Sequence, residues 1–313
     1  MGYSKIEGYL FMAITVISWG FSTIFIEQGL EFVSPIWFLA WRFLVSTILI
    51  TPIIMGSRFS VAISLLRNRL VWLIAASETA GLLFQYFGQK FGASPAISSL
   101  ISLTFLVIVP FLSLFLLQEK IYPFHILSIL LGMIGVFTIQ TEWQFDQLNP
   151  LQESQIAITL LFLSALSYAF YVVLTSRLTT IESKDVDTTV LFYVVLFIIS
   201  ILTVLAGLVA EPKTIFPSEK GWIWILSLAL ISTIIAFFTY FKALTVISAN
   251  EASVLLLLQI VVPFFYELVI ERTSYSQAKW MGIIPIIVAM VVVVQGSNRI
   301  VMSTEQHPVE GAP

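Results

Sequence analysis

Apolar runs of about twenty residues alternate along this chain with short polar breaks, a pattern that predicts bilayer-spanning helices rather than strands. The runs lie at residues 9–26, 35–55, 70–90, 93–117 and 123–140, then at 156–176, 189–209, 221–244, 249–270 and 278–295. Between them the stretch 141–153 holds Pro150 and three acids but no Lys or Arg, dividing ten expected spans into five and five. The expected fold is an all-α polytopic membrane protein of ten transmembrane helices. Its units are residues 1–145 and 146–298, followed by a polar, disordered cytoplasmic tail at 299–313.

The two halves repeat one another. Phe84, Gln85, Tyr86 and Phe87 return as Phe238, Thr239, Tyr240 and Phe241. A break at Gly92 and Pro95 returns near Ser248 to Glu251, Pro110 returns as Pro263, and Glu119 with Lys120 returns as Glu271 with Arg272. Ser18, Trp19, Gly20 and Phe21 match Ser167, Tyr168, Ala169 and Phe170, and Gly132 matches Gly282. Five spans is an odd number, so the second unit enters the membrane from the opposite side, giving two inverted-topology five-helix repeats.

Composition removes the soluble alternatives. With 58% hydrophobic and 11% charged residues and a mean hydropathy of +0.99, the chain cannot cover itself in water. A net charge of −3 without a basic tract gives nucleic acid nothing to bind. There is no cysteine, hence no disulfide or thiolate metal site. Neither H-E-x-x-H nor G-x-S-x-G occurs, and the histidines are His125 and His307 alone, so no catalytic residue, metal or cofactor is expected. An intramembrane enzyme would lack its constellation. A non-transporting receptor would normally carry a larger soluble loop than the dozen residues available here. The amino-terminal run exceeds signal-peptide length and reads as a retained first span.

Lys5, Arg58, Arg67, Arg69 and Lys120 fall on the amino-terminal side of the first five spans and Lys90 on the other. The second half is balanced, with Arg177, Lys184, Lys242 and Arg299 on that side against Lys213, Lys220, Arg272 and Lys279, so the first half decides by the positive-inside rule and both termini are expected in the cytoplasm of a plasma or inner membrane.

The order of these features resembles the EamA-type drug/metabolite transporters over residues 9–295. The likeness rests on Trp19 and Gly20 in the first span, Ser34 and Pro35 opening the second with Arg42 inside it, and two long helices with central Pro110 and Pro263. Each of these two is followed by an acid and a base, then by a helix with an internal glycine; Pro285 stands where a second glycine like Gly135 would be expected. The resemblance implies a central cavity between the halves and transport of small metabolites, amino acids among them, outward by alternating access. The partners are then a small-molecule substrate, the lipid bilayer and protons, and the expected state is a monomer or weak homodimer.

Candidate site residues follow from polar groups at membrane depth. Glu78 lies roughly 13 Å from the inner face, where a carboxylate faces protein or water and marks a pathway by default. Arg42 reaches similar depth from the other face. The two either form a structural ion pair, or Glu78 takes a proton or a substrate amine. Gln85 and Gln89 share the face of Glu78, while Gly81, Gly88 and Gly92 form a packing stripe beside it. The helix starts after the two breaks offer Ser98, Ser99 and Ser102 on one side, and Asn250, Glu251 and Ser253 with the deeper Gln259 on the other, as ends suited to a carboxylate. Equally, the serines ease packing, and Glu251 caps its helix or pairs with Lys242. Trp19, Tyr86, Tyr168 and Tyr240 are the aromatic candidates for the cavity wall, and Pro110 and Pro263 the candidate hinges.

Overall fold

The computed structural model describes residues 3–56, 58–91, 100–101, 104–143, 154–182, 187–213, 215–270, 272 and 274–306. All elements among them are helices. Among the described residues nine helices are long and apolar enough to cross a bilayer, and Thr104–Leu116 is a shorter apolar helix. In chain order they are α1 (Lys5–Gly29), α2 (Pro35–Ile54), the short α3 (Phe59–Leu65), α4 (Arg69–Lys90), α5 (Thr104–Leu116), α6 (Pro123–Thr141), α7 (Gln155–Arg177) and α8 (Thr188–Ala210). Then come α9 (Gly221–Ala243), α10 (Ala249–Tyr266 as a span) and α11 (Gln277–Gln306).

Local signals set the starts. Ser4, Asn68, Ser154, Asp187 and Ser248 each accept a first-turn N–H through the side chain, satisfying donors that lipid could not. Pro35 and Pro123 open their helices, where a missing N–H costs nothing. α11 continues to Gln306, beyond Arg299 where the sequence suggested disorder. No proline lies between Pro285 and Pro308, and a helix already about six turns long propagates more cheaply than it nucleates.

Packing pairs helices across the two halves. α4 lies antiparallel to α7: a Cβ on Gly81 would meet the Tyr168 ring at 2.9 Å, and one on Gly88 would meet Leu161 at 2.9 Å. The expected packing stripe is therefore used, and its third glycine, Gly92, lies outside the described residues. α1 is antiparallel to α9, with Gly29 near Trp224 and Gly8 near Val246. α2 is antiparallel to α8, Trp37 lying against Gly207 and Thr51 Oγ1 lying 3.2 Å from Tyr193 Oη. α6 and α11 form the most extensive pair, antiparallel and backbone to backbone where Gly135 meets Gly282. Gly132 meets the end of the Leu257 side chain instead. Apolar side chains such as Ile6, Leu10, Ile48, Phe115 and Leu130 point outward, as lipid requires.

Two helices depart from α geometry internally, and α7 runs on into a π-helical turn, Leu178–Glu182. α10 is α-helical over Ala249–Leu255, 3₁₀ over Leu256–Ile260 and α-helical again over Val261–Val269. Pro263 has no N–H for the carbonyl of Gln259, and the turn before it tightens. In α5, Pro110 is accommodated within a continuous α-helix, so the two candidate hinges are not alike. α9 contains a π-helical stretch, Leu228–Ile235. The turns after α5 and after α10 both hold a left-handed residue, Gln118 (φ 57°) and Arg272 (φ 55°).

Candidate functional site

Three helices bring the deepest polar groups together. Glu78 is near the middle of α4 and 5% exposed, and its Oε2 has no hydrogen-bond partner among the described residues. The α4–α7 register set by Gly81 and Gly88 places Glu78 level with Tyr171. Its carboxyl lies within electrostatic range of Arg42, Tyr168, Tyr171 and Tyr240. About two turns along α4, Gln85 Oε1 accepts from Tyr168 Oη at 2.7 Å, and Ser164 Oγ donates to the Gly81 carbonyl at 2.7 Å. These bonds fix α4 on α7 and hold the Glu78 face in place.

An aromatic block closes the other side. The Tyr171 and Tyr240 rings stack at 5.6 Å and 18°. Trp19 stands 5.1 Å from Tyr240 and edge-on to Phe237 at 5.4 Å. Both tyrosine hydroxyls are buried without a partner among the described residues. A carboxyl, two free hydroxyls and aromatic faces form the chemical set that receives an ammonium group, by charge and by attraction to the ring quadrupoles. Tyr86 is buried beside this region, with Arg42 within electrostatic range.

The expected contact between Arg42 and Glu78 is not formed. Arg42 Nε donates to Thr233 Oγ1 at 2.7 Å and Nη2 to the Ser232 carbonyl at 2.7 Å, and the pair is absent from the ion pairs among the described residues. The π stretch of α9 explains the choice. Thr233 Oγ1 itself donates to the Leu228 carbonyl at 2.9 Å, and the widened turn exposes backbone oxygen to the guanidinium. Nothing in the local sequence announced Ser232 and Thr233 as partners of Arg42.

The other candidates divide by position. Glu251 is a helix cap at the end of the molecule, not a midplane group. Its Oε2 accepts the Ser248 N–H at 2.9 Å, and its Oε1 takes Tyr9 Oη at 2.8 Å and Lys5 Nζ at 3.0 Å. Lys242, the alternative partner, instead faces the rings of Tyr3, Phe11 and Phe238 at 4.9, 5.6 and 4.5 Å. Gln259 is half-buried in the 3₁₀ turn before Pro263, and Gln89 is exposed at the end of α4. Ser98, Ser99 and Ser102 lie outside the described residues.

Glu119, which sequence reading used only as the close of a span, holds the start of α10. Its Oε1 accepts the Ala249 N–H at 3.2 Å and its Oε2 accepts from Asn250 Nδ2 at 2.8 Å. Lys5, Glu119 and Glu251 thus tie α1, α10 and the α5–α6 turn together at one face. At the other face Lys90 pairs with Glu211 at 3.1 Å and Lys279 with Glu142 at 3.3 Å.

Burial pushes the Glu119 carboxyl up to about 7, with the bonds from Ala249 and Asn250 opposing the rise and the charge of Glu251 adding to it. A folded-state value above the ordinary one means that the stabilisation is complete below about pH 4.5 and lost as pH rises through about 7. Glu119→Gln, neutral throughout, should match the parent chain near pH 5 and exceed it near pH 8 by up to about 3 kcal/mol. Thermal unfolding in detergent across that range checks this. An equal difference at both pH values would refute it.

No curated protein matches the sequence. The crystal structure of a protein 18% identical superposes with a TM-score of 0.78, covering 95% of this chain and 99% of that one, a likeness of fold. The EamA-like transporter family matches twice, over residues 6–141 and 155–295, on either side of the acidic stretch that divides the chain. The chain is thus a multi-pass membrane protein belonging to the EamA-like transporter family of the drug/metabolite transporter superfamily.

Proposed function

We propose that this protein carries small metabolites bearing an amine, amino acids among them, outward across the cell membrane by alternating access between two inverted five-helix units. Ten crossings, with Thr104–Leu116 counted within the fourth, would set both termini on one side, and the lysines and arginines of the first half argue for the cytoplasm. Equivalent helices support the inversion: α2 opposes α8, and α6 opposes α11. The pairings α1 with α9 and α7 with α4 exchange under the same twofold relation.

The observation that carries the substrate reading is the Glu78 carboxyl, buried at mid-helix, its Oε2 without a hydrogen-bond partner among the described residues, and level with the stacked Tyr171–Tyr240 pair. A carboxyl in lipid-depth protein needs a proton or a cation to offset its lost hydration. A solute ammonium and a proton would then compete for one group, which couples outward solute to inward proton. Purified protein in liposomes, loaded with individual amino acids, amines and neutral metabolites, tests this. Release faster than from protein-free liposomes is expected for amine solutes, and an acid outer medium should accelerate it. Release of neutral or anionic solutes alone would overturn the amine reading. Equal rates for all solutes with and without protein would overturn transport of this class.

A further inference from the structure

Beside Glu119 a cavity of about 290 Å³ opens between the α5–α6 turn, the end of α7 and the α9–α10 turn. Glu119, Ser176, Thr180, Thr245 and Ser248 give its wall a carboxyl and hydroxyls. On α7, Ser176 Oγ and Thr175 Oγ1 are buried without partners among the described residues, at 1% and 0% exposure. Tyr171 Oη, one turn deeper, is also unpartnered, as are Tyr240 Oη on the stacked ring and Glu78 Oε2 level with it. Such groups are rarely left unmatched singly. Here five succeed one another from the cavity to the carboxyl, over only about 7.5 Å of helix axis between Ser176 and Tyr171.

We propose that the cavity beside Glu119 is the mouth of a hydrated passage that follows α7 past Ser176, Thr175 and Tyr171 to Glu78, so that water and hydronium reach Glu78 from the Lys5 face. Water there satisfies each hydroxyl in turn, since a site needs two to four polar partners to hold it. At the far face the Lys90–Glu211 pair and the indole donation of Trp37 to the Glu211 carbonyl at 2.7 Å join the ends of α4, α8 and α2. The passage deepens the reading of Glu78 as the coupling group, but its test needs no substrate.

The chain has no cysteine of its own, so single cysteines at Thr175 and Ser176 report without background. In full-length protein in sealed vesicles of known orientation, the probe is a cationic, membrane-impermeant methanethiosulfonate. Ser176→Cys and Thr175→Cys should react from the Lys5 face at least tenfold faster than Val173→Cys, which is 0% exposed on the same turn, and at least tenfold faster than from the opposite face. Thr180→Cys, in the cavity wall, reports that the face is intact. Reaction of Ser176→Cys and Thr175→Cys no faster than Val173→Cys while Thr180→Cys reacts overturns the passage, and preferential reaction from the opposite face overturns its sidedness. Should Thr175→Cys not fold, Tyr171→Cys, one turn deeper, decides in its place, since Ser176 already lines the cavity. Failure of the passage leaves solute release in liposomes unaffected as a test, so the two ideas fall separately.

Discussion

Glu78→Gln is expected to fold and reach the membrane as the parent chain does, while outward flux of amine solutes falls about 100-fold, equivalent to about 3 kcal/mol. The amide keeps the shape of the side chain and removes a buried charge that has no hydrogen-bond partner at Oε2, so stability should not suffer. What it cannot do is exchange a proton for a cation. Residual flux should therefore lose its dependence on pH, measured as release from liposomes between pH 6 and 8. A variant that transports at the parental rate with the parental pH profile would show that Glu78 takes no part in coupling. Arg42 is not freed by the change, because Ser232 and Thr233 already hold its guanidinium.

Gly135→Ala should cost about 3 kcal/mol or more, because the added methyl meets backbone and not a side chain that can swing aside. A Cβ at Gly135 would lie 2.6 Å from the Gly282 carbonyl oxygen and 3.1 Å from the Ile286 nitrogen. α6 and α11 would have to separate along their whole contact. Gly132→Ala, three residues earlier, meets only the tip of Leu257 and should cost less than about 1 kcal/mol. Thermal unfolding of the two variants in detergent makes the comparison. Equal losses would mean that the close approach of these helices is not what holds the halves together.

The contrast between those glycines shows how far sequence reading reaches. Gly132 and Gly282 match by position in the repeat, and both mark a helix with an internal small residue. Which glycine meets which neighbour depends on the rotation of α6 and α11 about their axes, and one residue turns a helix face by about 100°. The same limit applied to Arg42, whose depth was legible while its partners were not. The packing stripe of Gly81 and Gly88 was legible because residues seven apart share a face whatever the helix packs against. Tyr168 could be placed near Gln85 only after α7 was known to lie antiparallel on α4.

By itself the sequence determined that this chain lives in a bilayer, that it is written as two related units, and that Glu78 sits at a depth where a carboxyl needs a reason. The first and last follow from local transfer free energies summed over about twenty residues, and the second from residues recurring in the same order, none of which needs knowledge of neighbours. Tertiary structure alone decided that Glu119 holds the start of α10, that Glu251 is bound by Tyr9 from 242 residues away, and that Tyr171 joins Tyr240 beside Glu78. Hydrogen bonds and ring contacts act over a few ångströms, so their partners are chosen only when distant helices have settled into one register.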